Sequence, residues 1–133
     1  MTHPGPVMDA DALQDLAASI ALEQPAASLE HPFGPTWDVF KVAGLVFALI
    51  TDEPGRRIIN LKAEPEECRA LCEQFDSITP GYHMNKKHWI SLSAGEGIDA
   101  ELVRELVLGS YRLVVAKLPR SRRPVDPEAW GLA

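Results

Sequence analysis

Long apolar runs are missing from this sequence. The longest, "GLVFALI" (44–50), has the length of a strand, far short of the ~20 residues a bilayer-spanning helix needs. Cysteine is scarce. The two present, Cys68 and Cys72, stand four apart and offer no disulfide framework. The start, "MTHPGPVMDADA", has neither a basic segment nor an apolar one, so it does not read as a signal peptide. These absences lead to the expectation of a reduced, cytoplasmic protein with no membrane partner.

Catalytic and metal signatures are lacking too. There is no HExxH spacing, no second cysteine pair and no nucleophile elbow around Ser77, Ser91 or Ser93. "GEG" (95–97) comes nearest to a phosphate loop but lacks the length and the lysine. No enzyme, cofactor or metal is therefore expected. Positive charge is also in deficit. The net charge is −6, which opposes non-specific attraction to nucleic acid. The deficit is uneven: residues 1–79 hold 5 basic and 13 acidic side chains, whereas residues 80–123 hold 8 basic and 4 acidic.

What is present is a core and a readable order of elements. Apolar residues make up 46% of the 133 positions, enough for one folded domain. Asp9 or Asp11 caps a helix over 9–23, with Leu13, Leu16, Ala17 and Ile20 at helical spacing. Residues 25–36, rich in proline, read as a loop. Strands follow at 37–42, 45–51 and 57–63, joined by the turns "AG" (43–44) and "DEPGR" (52–56). A helix over 64–75 carries Cys68, Leu71, Cys72 and Phe75 as its apolar stripe. One or two strands come next, including 88–93, and then a helix over 100–117 capped by Asp99. The expected fold is α+β, in the order α-βββ-α-β(β)-α, with an antiparallel sheet and helices mainly on one face. Residues 1–8 are expected as a disordered lead, 9–118 as the domain and 119–133 as a mobile proline- and arginine-bearing tail.

One stretch gathers most of the polar and aromatic chemistry: "TPGYHMNKKHWISL" (79–92). Lys86 and Lys87 can neutralise phosphate. Asn85, His83 and His88 can donate to phosphate or base edges, and Tyr82 and Trp89 offer flat faces for stacking. The residues alone leave two readings open. In one, this is a contact surface. In the other, Tyr82 and Trp89 cover the edge of the core while the lysines reach into water.

The segments "HPFGP" (31–35), "VFKVAGLVFAL" (39–49), "INLKAEPE" (59–66), "TPGYHMNKKHW" (79–89) and "SYRLVVAKLP" (110–119) together resemble the YjbR/MmcQ family of small bacterial proteins. The resemblance runs from about residue 9 to 119. It implies a compact α+β domain likened to a double-wing DNA-binding fold, with DNA as the expected partner. Leu45 departs from the family pattern, which usually places a lysine or similar polar residue after the hairpin glycine. Lys41, Asn60 and Lys62 on adjacent strands would extend the basic surface if their sheet face is open, and Arg120, Arg122 and Arg123 would add charge. The alternative expectation is a module that binds a protein or an anionic metabolite through the same 79–89 surface.

Overall fold

The computed structural model describes residues 8–52, 57–82 and 84–131. Helix α1 (Ala10–Glu23) begins where the Asp9 side chain accepts the Ala12 N–H at 2.8 Å. It stops at Glu23, two residues before Pro25. Strands β1 (Ala27–Glu30), β2 (Trp37–Val42), β3 (Leu45–Thr51) and β4 (Ile58–Lys62) follow. Helix α2 (Pro65–Gln74) has proline in its first turn, where no N–H is needed. Then come β5 (Ile78–Pro80), β6 (Trp89–Leu92) and α3 (Ala100–Ala116), whose cap is the Asp99 carboxylate on the Leu102 N–H at 2.9 Å. A short 3-10 turn spans Arg120–Arg122.

The six strands form one antiparallel sheet in the order β1-β2-β3-β4-β6-β5. Strands β2, β3 and β4 are the expected meander. Their first turn has Ala43 at φ 48° and Gly44 at φ 82°, the paired left-handed conformations that suit a two-residue hairpin. All three helices share one core with the sheet. Leu13, Ala17 and Ile20 of α1, Cys68 and Leu71 of α2, and Val103, Val107 and Tyr111 of α3 meet Phe40, Ile59, Leu61, Ile90 and Leu92. Tyr111 stands edge-on to Phe47, with centroids 5.2 Å apart, and its hydroxyl donates to the Pro25 carbonyl at 2.7 Å.

Phe47 is an extra residue in β3: Phe40 pairs with Ala48, but Lys41 pairs with Val46. Such a bulge interrupts the ladder. Ser110 of α3 bridges the interruption, donating to the Phe47 carbonyl and accepting the Lys62 N–H at 2.8 Å.

Four expectations need correction. The loop expected over 25–36 contains β1, an edge strand. Asn60 does not lie on an open face but is 0% exposed. His88 belongs to the turn before β6 rather than to the strand. The tail expected to be mobile is packed against the domain over its described residues, 119–131. Val125 and Trp130 lie against the core. The Trp130 indole N–H donates to Gln24 Oε1 at 2.8 Å, and Arg112 donates to the Trp130 carbonyl at 3.1 Å. An indole with both a packing surface and a hydrogen-bond partner is enough to anchor a proline-rich segment. Of the expected lead, only Met8 is described, and it packs against the core. His83 and most of the expected turn at 52–56 lie outside the described residues. No helix among the described residues is long and apolar enough to cross a membrane.

Candidate nucleic-acid or anion interface

The second face of the sheet positions the 79–89 motif. Val39, Leu49, Asn60 and Ser91 stand side by side across four strands. All four are buried, so this face is covered as well. Over Asn60 and Ser91 the cover is the connection between β5 and β6. The Ser91 hydroxyl accepts the Tyr82 N–H at 2.7 Å and donates to Asn60 Oδ1. The Asn60 amide donates to the Tyr82 carbonyl at 3.1 Å. Both backbone groups of Tyr82 are thus held by two polar side chains of the sheet.

The rest of the loop is pinned locally. Gly81 extends the β5–β6 pairing through its N–H to the Trp89 carbonyl at 2.9 Å. A Cβ at residue 81 would lie 2.7 Å from the Trp89 Cβ and 3.0 Å from the Met84 Cβ, so the close approach requires glycine. The Asn85 side chain accepts the Lys87 N–H at 2.9 Å, a self-closing turn of the kind asparagine favours. The Asn85 carbonyl accepts from His88 and Trp89. Lys86 Nζ donates to the Gly81 carbonyl at 3.0 Å. The loop therefore presents Asn85, Lys86, Lys87 and His88 exposed, on a backbone tied to the sheet.

Next to it stands a second basic group. Lys62 pairs across the ladder with half-buried Trp89. Burial and the neighbouring Lys117 ammonium lower the Lys62 pKa to about 8, partly offset by Glu64. Lys62, Arg112 and Arg123 border a cavity of about 340 Å³ whose wall also carries Glu64, Glu67 and Glu128. On the other side of the loop, Lys86 and Lys87 face Arg69 of α2 across a groove of about 560 Å³.

The remaining expected residues are less available. Lys41 pairs with Glu30 of β1 at 3.3 Å. Arg123 donates to the carbonyls of Leu118 and Ala116, capping the C-terminus of α3. Arg120 and Arg122 are exposed, and Arg122 reaches the Ala43 carbonyl at the hairpin tip at 3.5 Å. Leu45 is exposed at that tip. Lys117 and Arg69 are site residues that the sequence does not announce. Their pairing with Lys62 and with the motif lysines is a contact of the fold, without any local pattern. For metal, no group of three or more His, Cys, Asp or Glu side chains gathers among the described residues. His31 instead pairs with Asp38 at 2.8 Å.

A family model described as YjbR matches residues 22–113. The chain belongs to the YjbR family. The YjbR match runs from the end of α1 into α3 and so takes in all six strands and the motif loop. The uncharacterized protein YbdF of Escherichia coli O157:H7 is 45% identical over 121 residues, covering 90% of this chain and 99% of that one. The uncharacterized protein YjbR of Escherichia coli K12 is 30% identical over 83 residues, covering 62% and 70%. The crystal structure of Deinococcus radiodurans DR2400, a DUF419 domain, superposes with a TM-score of 0.74 at 35% identity, covering 89% of this chain and 87% of that one. A Pseudomonas syringae protein gives a TM-score of 0.61 at 28% identity, covering 71% and 92%.

Proposed function

We propose that this YjbR-family chain is a nucleic-acid-binding module that holds phosphates weakly through its 84–89 loop. The observation that carries the reading is the anchored cationic loop. Lys86, Lys87 and His88 are exposed, and none of them is ion-paired to a described carboxylate. The Asn60–Ser91–Tyr82 links hold the loop backbone, which lowers the ordering cost of binding. Trp89, Lys62 and Lys117 continue the surface on one side, and exposed Arg120 and Arg122 lie beyond. The cationic groups of the 84–89 segment stand on a turn rather than on a helix that could enter the major groove, so contact is through phosphates rather than base edges.

The test is fluorescence anisotropy with generic duplex and single-stranded oligonucleotides over a salt series. Affinity should fall with salt at a log–log slope of about −0.9 per duplex phosphate contacted. Lys86→Ala with Lys87→Ala should weaken all sequences alike and flatten the slope by about two units. Trp89→Ala should cost single strands more than duplex, since stacking is worth ~1–3 kcal/mol per base. No binding at ~50 mM salt, where phosphate contacts are strong, would remove the reading. A second reading, an anionic small ligand at the same lysines, is favoured by the groove beside α2.

A further inference from the structure

The α2 sequence "PEECRALCEQ" sets two stripes side by side. Cys68 and Cys72 form one, and Arg69 and Glu73, each one residue on, form the next. Because α2 packs on the β5–β6 end of the sheet, the cysteine stripe turns inward and the Arg69 stripe stays at the surface. The motif loop then brings Lys86 and Lys87 over the same place. Between them lies the groove of about 560 Å³, lined by Pro65, Cys68, Cys72 and Pro80, with Arg69, Lys86, Lys87 and Glu73 around it.

The floor and the rim differ in chemistry. Cys68 is buried and Cys72 half-buried, and burial pushes both thiols up, so they stand neutral and behave as small apolar groups. The rim holds three cations against one carboxylate. Among the described residues none of the three is ion-paired, and Lys86 uses only one of its donors, on Gly81. The volume falls within the ~300–1,000 Å³ of small-molecule sites. A bare inorganic anion would leave the apolar floor wet, and a duplex would not enter.

We propose that this groove binds a small amphiphilic anion, a phosphate or carboxylate carried on an aromatic or short acyl body. The anionic head meets Arg69, Lys86 and Lys87, and the apolar body lies on Pro65, Cys68 and Cys72. This goes beyond nucleic-acid contact. Because it uses Lys86 and Lys87, the two ligands exclude one another.

Cys72 provides the readout. Iodoacetamide, which is uncharged, alkylates it: the thiolate sulfur displaces iodide, one S–C bond forms and one C–I bond breaks. Trypsin cuts after Arg69, so Cys68 and Cys72 fall on separate peptides and mass spectrometry follows each. Phenyl phosphate at about ten times its Kd should slow Cys72 alkylation about elevenfold, by mass action. Inorganic phosphate and phenol, each at the same concentration, should leave the rate unchanged. Protection should vanish in Lys86→Gln/Lys87→Gln and persist in Arg104→Gln, an exposed position of α3 outside the groove. Thermal unfolding of each variant verifies that it is folded. Absence of protection at millimolar phenyl phosphate, equal protection by phenol or by inorganic phosphate, or full protection in the double variant would each overturn the proposal. The two readings fail separately. Duplex binding without Cys72 protection would leave the nucleic-acid module standing and remove the small anion. Cys72 protection without duplex binding would make the small anion the ligand of the loop lysines.

Discussion

Replacing Asn60 by alanine tests whether the sheet holds the motif loop. Asn60 is 0% exposed and makes two side-chain hydrogen bonds, one to the Tyr82 carbonyl and one from the Ser91 hydroxyl. The change removes the Asn60 donor from the Tyr82 carbonyl and the acceptor of the Ser91 proton. An unsatisfied buried polar group costs about 1–3 kcal/mol, and the void left by the amide adds about 1 kcal/mol. We expect a total loss of about 2–4 kcal/mol in urea unfolding at unchanged m-value. In a domain of this size that corresponds to a fall in Tm of roughly 3–5 °C per kcal/mol. Ser91→Ala removes the hydroxyl that accepts the Tyr82 N–H instead, so the two changes share one network. The Asn60/Ser91 double-mutant cycle should show a coupling of at least about 0.5 kcal/mol. Hydrogen exchange adds location: the loop amides after Tyr82 should lose protection before the core of α3 does. A loss under about 1 kcal/mol for Asn60→Ala, or strict additivity with Ser91→Ala, would refute the claim that this pair anchors the loop.

Two other predictions concern charge and the C-terminal segment. In Lys117→Gln, the Lys62 pKa should rise above its value of about 8 yet stay below 10.5, because burial is the larger cause and remains; an NMR titration of the Lys62 ammonium that shows no movement would contradict this. The same shift sets a sign for stability: the unfolded chain binds the extra proton between about pH 8 and 10.5, so the penalty from Lys62 is fully present below pH 8 and is relieved as pH rises through that window. Trp130→Ala removes the Gln24 bond and a half-buried ring, and should cost about 1–3 kcal/mol. It should also open residues 119–131 to limited proteolysis; an unchanged digestion pattern would mean that the indole does not anchor the segment.

The elements legible in the sequence were those whose signals are local. Asp9 and Asp99 announce α1 and α3 by the capping chemistry that they perform in the structure. "AG" marks a hairpin because two successive left-handed residues are needed there. Strand β1 was not legible. It has only four residues, "ASLE", sits near prolines, and is an exposed edge that pairs on one side with β2. The site divides the same way. Alternation put Asn60 and Lys62 on the face opposite Ile59 and Leu61, as the structure has them. Alternation names a face but does not say what lies over it. The burial of Asn60 depends on a segment more than twenty residues later in the chain. The Lys62–Lys117 and Trp130–Gln24 contacts likewise join residues far apart in sequence.

The net charge of −6 and the cationic loop act over different distances, and salt separates them. The Debye length is about 8 Å at 0.15 M salt and about 30 Å at 0.01 M. At the higher value a phosphate at Lys87 responds mainly to its neighbours: Lys86, Arg69 and the Lys62 group. At the lower value it also senses the acids of α1, on the opposite face of the sheet. If nucleic acid binds at the loop, log affinity against log salt should be straight above about 0.05 M and flatten below it, as long-range repulsion offsets the gain from counterion release. Asp15→Lys with Glu23→Lys, both at exposed positions of α1, changes the net charge by four, from −6 to −2, without touching the loop. That variant should restore the straight line at low salt while leaving the slope above about 0.05 M unchanged. A wild-type line that stays straight to about 0.01 M, the range where screening is weakest, would show that the whole-chain charge plays no part. A changed high-salt slope in the α1 variant would show that phosphates are contacted somewhere other than the 84–89 loop.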